Sequence, residues 1–379
     1  MSARRSNGPG IATRVFGSQW FVSVLAVLIA FAIGAILIAL SGASVVDAYY
    51  AMFRGSIVDP NAANAVRMIK PLTDSLFYSI PLIISGLGLA LGFRAGLFNI
   101  GGKGQIIVGA LAAVWVGFAV SLPPVVHTLV ALLVAVIAGG LYGGIAGLLK
   151  AKTGANEVIV TIMLNSIATL GLGYTLTQKA WQVPGTNQPV TPKVADSAAL
   201  ARLLPAPFKL HVGFLVALVA LVAFWWLIER STLGFQIRAV GANAAAARTA
   251  GISVERITAI TMVLSGAFLG LAGANEALGT IGYVSRDVAG SIGFDAITVA
   301  LLGRNKTWGT FGAGLLFGAF KAGGYTMQAK GVPIDMILIL QSVIVLLIAA
   351  PALVRWLFRL PDVRALAADT RKGNADEHK

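Results

Sequence analysis

The stretch Gly234-Phe-Gln-Ile-Arg-Ala-Val-Gly-Ala-Asn243-Ala-Ala-Ala-Ala-Arg248-Thr-Ala-Gly251 lies between two apolar runs of membrane length and decides how the chain is read. Asn243 is a good helix N-cap, the four alanines after it are strong helix formers, and Gly251 can take the left-handed conformation that stops a helix. The pattern predicts a helix of about two turns, roughly 10 Å long. Alone in water such a helix is marginal, because its nucleation cost is not recovered over so few residues. It needs a surface to dock on. A short helix held out from a membrane domain therefore points to a partner subunit on that side of the bilayer, with an ordinary interhelical loop as the plain alternative.

The rest of the chain supplies the membrane domain. Hydrophobic residues make up 57% of the 379 residues and charged residues 12%, and mean hydropathy is +0.83. Soluble domains carry about 25% charged residues, so this composition belongs to an integral membrane protein. Ten spans are expected, approximately Trp20–Leu40, Leu76–Phe93, Gln105–Ser121, Thr128–Leu149, Val158–Thr177, Val212–Ile228, Ile257–Leu278, Ile292–Leu302, Trp308–Met327 and Val332–Val354. The fold class is an all-α polytopic bundle. The eighth span is too short to cross a core of about 30 Å as one helix, so it is either tilted and extended by its flanks or broken. The first exceeds the apolar core of a cleavable signal and reads as a retained span. Two sets of five spans would be inverted relative to each other, a common transporter plan, although no clear sequence repeat is visible.

With both termini in the cytoplasm, nineteen Lys and Arg fall on that side and nine outside, with Lys321 inside a span. That asymmetry supports the orientation and turns the Asn243 helix toward the cytoplasm. The chain then divides into a cytoplasmic N-terminal segment (1–19), a permease domain (20–354, with a cytoplasmic loop at 229–256) and a basic cytoplasmic tail (355–379). Two long polar segments, Ser44–Ser75 and Gln178–His211, lie outside; they either cover a vestibule, meet an external partner or merely connect spans. The net charge of +14 is spread over short connections, with no basic stripe interleaved with aromatics, which argues against nucleic acid.

There are no cysteines, and the three histidines, His127, His211 and His378, have no metal-site spacing. No catalytic constellation is visible. Gly102-Lys103 is not a phosphate loop, because Leu97 stands where the first glycine is needed and Gly104 where Ser or Thr is needed. The glycines there fit a sharp turn at the cytoplasmic end of spans two and three. Gly139, Gly143 and Gly147, Gly266 and Gly270, and Gly314 and Gly318 recur at four-residue spacing, the pattern that lets helix backbones approach in lipid. Polar residues inside spans cost more and point to a cavity or a partner. Asn165, Asn275, Glu276, Asp295 and Lys321 are the candidates, with Asp295–Lys321 or Glu276–Lys321 as an interior ion pair. Asn99, Gln105, Asn156 and Glu157 lie at span ends, where capping or packing is the default. On polarity alone, an ion-coupled transporter using Glu276, Asp295 and Lys321 as a proton relay remains an alternative.

Four segments together resemble the permease subunits of bacterial ABC importers, in the branch serving simple sugars, branched-chain amino acids and nucleosides. They are Gly96–Ala113 (GLFNIGGKGQIIVGALAA), Gly154–Asn165 (GANEVIVTIMLN), Arg238–Ile252 (RAVGANAAAARTAGI) and Gly293–Arg304 (GFDAITVALLGR). The second is similar to the nucleoside-uptake branch in particular. The resemblance implies a type II importer fold and makes the short helix a coupling helix. Arg238, Gly241, Asn243, Ala246, Arg248 and Gly251 would then meet a separate cytoplasmic ATPase, and Asn99, Asn165, Asn275, Glu276 and Asp295 would lie along the substrate path. It implies no cofactor on this chain, ATP and Mg²⁺ being used by the ATPase. It also implies a second permease subunit, an external substrate-binding protein and a bacterial inner membrane. Cargo would be nucleosides or purine-like compounds, with sugars or branched-chain amino acids as the alternative. The family often has Pro after the equivalent of Asn243; Ala244 stands here, which removes some preorganisation of the helix but not its surface.

Overall fold

The computed structural model describes residues 19–333 and seven scattered residues between 336 and 347. Residues 1–18, the tail 355–379 and more than half of the expected span Val332–Val354 thus lie outside the described residues. Among those described the structure is helical, with no named strand and one isolated antiparallel bridge from Arg202 to His211.

The helices are α1 (Gln19–Leu40), α2 (Val45–Ser56), α3 (Ala65–Arg94), α4 (Gly102–Ala119), α5 (Val126–Thr153) and α6 (Glu157–Thr175). After a long irregular segment come α7 (Gly213–Trp225), α8 (Thr232–Ala242), α9 (Ala244–Thr249), α10 (Val254–Asn275), α11 (Ile292–Leu302) and α12 (Thr307–Gln328). Helices α7 and α10 each run on through a wider π-type turn, Trp226–Arg230 and Glu276–Ile281. Six helices are long and apolar enough to cross a membrane: α3 to α6, α7 with its extension, and α10 with its extension. The chain is an all-α, multi-pass membrane protein, but only six of the ten expected spans meet both criteria among the described residues. The short eighth span is α11, of 11 residues, which rises only about 16 Å.

Two compact units divide the chain, Ala51–Thr326 and the segments on either side of it. In the flanking unit, Tyr49 Oη donates to Phe31 O at 2.5 Å and the two rings meet edge to face at 5.4 Å. In the central unit, α10 packs against α5, α4 and α3. The glycine pattern is the reason: a Cβ at Gly139 would stand 2.5 Å from Gly266 O and 2.6 Å from Gly270 Cα, and one at Gly143 would stand 2.6 Å from Met262 O. Backbones this close leave no room for any side chain. Gly318 of α12 meets Ser75 and Ser79 of α3 in the same way. Helix α5 shows the logic on both faces. Ala131, Ala135, Gly139 and Gly143 are buried, whereas Leu129, Leu133, Ile137 and Leu141 are 51–66% exposed. Small residues face protein and large apolar residues face outward, as lipid requires.

The segment Ser44–Ser75, expected as an external loop, is largely helix. It holds α2 and the start of α3, which begins at Ala65 instead of Leu76. Asn64 caps α3 by accepting from Arg67 N at 2.9 Å, and Lys70 pairs with Asp74 one turn on. These polar turns escape a search for apolar runs, yet they propagate the helix once it is capped. Arg54 grips Asp59 with Nε and Nη2 donating at 2.7 and 2.8 Å, which holds the Asp59 carboxyl below the usual carboxylate range.

The second long segment, Gln178–His211, is an ordered cover over helix ends. Thr191 N, Val194 N and Leu200 N donate to Val284 O, Gly282 O and Leu278 O, and Ala195 N donates to Gly117 O, all at 2.9–3.0 Å. From below, the buried His127 of α5 bonds Ser197 Oγ at 2.9 Å and Val116 O at 3.0 Å.

Candidate functional site

The expected short helix is present. α9 runs Ala244–Thr249, Asn243 Oδ1 accepts from Ala246 N at 3.0 Å, and Gly251 has φ +84°. Of its six residues only Ala247 is buried. It does not stand alone, however. α8 precedes it as a separate helix capped by Ser231, whose Oγ accepts from Gly234 N at 2.9 Å. The sequence reading merged α8 into the connection, because its composition is neither apolar nor alanine-rich. Between α8 and α9 lies an open groove of about 570 Å³, lined by Phe235, Gln236, Ala239, Asn243, Ala246 and Ala250 among others. Phe235 is 61% exposed there.

The six residues assigned to the coupling contact do not gather in one place. Asn243 and Ala246 line the groove. Arg248 pairs with Glu255 at 2.5 Å, an exposed bridge that ties α9 to the start of α10. Gly251 ends the helix. Gly241 is a packing position, since a Cβ there would collide with Arg94 O and Ala95. Arg238 lines a different recess, beside Arg94 and Lys306.

The polar residues assigned to the path also separate into groups. Asn99 is 1% exposed and its amide is fully used. Its Nδ2 donates to Gln105 Oε1 (3.1 Å) and Ser265 Oγ (3.0 Å), and its Oδ1 accepts from Gly101 N (2.9 Å) and Gln105 Nε2 (3.3 Å). Asn165 is committed by two bonds: Oδ1 accepts from Gly104 N and Nδ2 donates to Ile100 O, both at 2.8 Å. Thr161 Oγ1 accepts from Ile100 N at 3.2 Å, and Glu157 accepts from Phe98 N at 3.5 Å while pairing with Lys150 at 2.7 Å. Glu157, Thr161 and Asn165 are one helical stripe at four-residue spacing, and together they suture the turn that joins α3 to α4. Both amides thus hold the fold together: Asn99 spends its whole amide on these bonds, and Asn165 spends one bond from each of its two polar atoms.

Asn275 and Glu276 differ. Asn275 is 1% exposed, and neither its Oδ1 nor its Nδ2 has a partner among the described residues. His211 lies beside it, as both would meet a Cβ at Gly213. His211 Nδ1 accepts from Gly213 N at 3.0 Å, so the ring proton sits on Nε2, which is also unpartnered. Burial depresses the His211 pKa to about 4. Glu276, 8% exposed, opens the π-type turn and accepts from Thr280 Oγ1 at 3.2 Å. Asp295 accepts from Ser291 Oγ at 2.7 Å. Lys321 lies within electrostatic range of both acids, but neither expected ion pair is closed: the four ion pairs among the described residues do not include Lys321. Short-range bonds to Thr280 and Ser291 hold the carboxylates instead. His211 was the residue missed, because nothing in a polar external segment announces that its end returns to α10.

Residues 72–349 match the family described as branched-chain amino acid transport system, permease component. The chain belongs to that permease family. It is 40% identical over 349 residues to the guanosine ABC transporter permease protein NupP of Bacillus subtilis, covering 89% of this chain and 95% of the relative. The glucose ABC transporter permease protein TsgB13 of Haloferax volcanii is 36% identical, with 85% of each chain covered. The nucleoside ABC transporter permease protein NupB of Lactococcus lactis is 32% identical, covering 92% of this chain and 94% of the relative. No solved structure matches the chain. The permease thus carries two distinct features at opposite ends of α10: an exposed helical knob (α8–α9) before its start, and buried, partly unpartnered polar groups at its far end.

Proposed function

We propose that this permease is the membrane subunit of an ATP-driven importer of nucleosides or purine-like compounds, working by alternating access. Its ATP and Mg²⁺ would be bound by a separate cytoplasmic ABC ATPase, with a second permease chain and an external substrate-binding protein completing the assembly. The observation that carries the reading is α9, a capped six-residue helix left almost wholly exposed beside an apolar groove. A helix this short gains its firmness from a surface it docks on. In this reading Asn243, Ala246, Arg248 and Gly251 shape the knob, and Phe235 offers it an apolar anchor. Arg238 and Gly241 brace it from behind. The knob faces the cytoplasm of a bacterial inner membrane, with both termini on that side. ATP binding and hydrolysis shift the two access states by binding them unequally.

Asn275, Glu276 and Asp295 would line the outer part of the path, the two acids within electrostatic range of Lys321. Nucleoside cargo is supported by the similarity to the guanosine and nucleoside permeases. The glucose permease of comparable coverage supports sugar as the second reading. Uptake by vesicles holding the assembled transporter tests both: ATP-dependent guanosine or adenosine accumulation, unaffected by excess glucose, is expected. Uptake that needs a proton gradient and no ATP, or glucose transport without nucleoside transport, would overturn the proposal.

A further inference from the structure

Two spanning segments end, and a third helix begins, around one basic recess. α3 ends at Arg94, the extension of α7 ends at Arg230, and α12 opens at Thr307. The recess is about 480 Å³ and is lined by Arg94, Glu229, Arg238, Lys306, Thr307 and Trp308 among others. Three cations thus face one carboxylate, and that carboxylate is already engaged, with Glu229 Oε1 accepting from Thr307 Oγ1 at 3.0 Å. None of the four ion pairs among the described residues uses Arg94, Arg238 or Lys306. Arg94 is fixed by donating from Nε to Asn305 O at 2.8 Å, which spends one of its five N–H groups. Arg238 is close enough for the two guanidiniums to repel each other. Three cations around a hollow with a single carboxylate among them leave an excess of positive charge, which is relieved by an anion that several donors can share.

The surroundings say which anion. Ends of spanning helices gathered around one recess are where such a chain meets the membrane–water boundary. Trp308 lines the recess and is 67% exposed; Trp226, which opens the extension of α7, is 59% exposed, and the Arg230 guanidinium at the end of that extension lies 5.3 Å from the centroid of the Trp225 ring. Tryptophan and arginine in this arrangement form an interfacial belt. A soluble anion would need the cations but not the aromatic rim. A phospholipid uses both, phosphate in the recess and glycerol and acyl chains along the tryptophans. We infer that this recess binds the phosphate of an anionic phospholipid headgroup. The bound lipid bridges α3, α12 and α8, and α8 leads directly into Asn243 and α9. Headgroup occupancy therefore sets how firmly the knob is held against the membrane domain, independently of the cargo.

Native mass spectrometry of the purified full-length chain tests this, with phosphatidylglycerol, phosphatidylcholine and inorganic phosphate as probes. Phosphatidylglycerol should bind in preference to phosphatidylcholine and resist millimolar phosphate. Lys306→Gln and Arg238→Gln should each weaken that binding about fivefold, as expected for one basic residue at an anionic surface. Lys306 is exposed, so its replacement leaves the fold intact, and Arg286→Gln, at an exposed cation in the irregular segment after α10, should change nothing. Equal binding of the two lipids, unchanged binding in both recess variants, or an equal loss in the Arg286 variant would overturn the inference. Displacement by inorganic phosphate would overturn the lipid as the source of the anion.

Discussion

Replacing Asn165 by Ala separates a structural role from a role on the path. The side chain joins α6 to the first turn of α4 and to the turn before it through two bonds of 2.8 Å, to Gly104 N and Ile100 O. Its loss strands a buried amide and a carbonyl. Interhelical bonds in membrane proteins average about 0.6 kcal/mol and reach about 1.7, and unsatisfied buried groups cost about 1–3 kcal/mol each. Two such bonds place the loss near 2 kcal/mol, about a thirtyfold change in the folded-to-unfolded ratio. Helix propensity favours Ala over Asn by at most about 0.7 kcal/mol and does not reverse the sign. Denaturation of the purified chain in mixed micelles should show this drop, while transport per folded molecule stays near that of the parent. A variant as stable as the parent but unable to transport would refute the structural assignment and return Asn165 to the path.

Gly139→Leu should separate α5 from α10 and destabilise by at least about 1–3 kcal/mol, the usual cost of overpacking, measured by the same denaturation; unchanged stability would mean that the glycine contact is not a constraint. Glu276→Gln should lower uptake several-fold without removing the protein from the membrane, and normal uptake would take Glu276 off the path. His211 binds its proton less readily when folded, about 4 against 6.5, so between those values the unfolded chain carries more protons and stability rises with pH. Thermal unfolding from pH 4 to 7 should show that rise in the parent and lose it in His211→Phe; an unchanged slope in the variant would assign the rise to other groups.

Much of this was legible in the sequence, for identifiable reasons. The Asn243–Gly251 helix is local, written by its cap, its alanines and its stop glycine, and it formed where those residues put it. The glycine repeats are likewise local signals of close helix approach. Long-range facts were not available. His211 meets Asn275 only because the segment Gln178–His211 folds back over α10, and among the described residues Lys321 closes no ion pair while Thr280 and Ser291 bond the two carboxylates. The stripe of Glu157, Thr161 and Asn165 was readable as three polar residues on one helical face. Their target, the turn from Gly96 to Gly101, becomes visible only when α6 and α4 are side by side. The amphipathic helices α2 and α8 were hidden for another reason: a search tuned to apolar runs passes over helices whose residues are half polar.

Transport by vesicles carrying the permease with its ATPase, after Ala244–Arg248 is replaced by a flexible Gly-Ser stretch, is the most direct test of the account. The knob should lose its helix while the spans remain assembled, so ATP-driven nucleoside uptake should fall to background and the ATPase should no longer co-purify. Full-speed uptake with the ATPase still bound would contradict the claim that α9 couples this chain to a separate ATP-hydrolysing subunit.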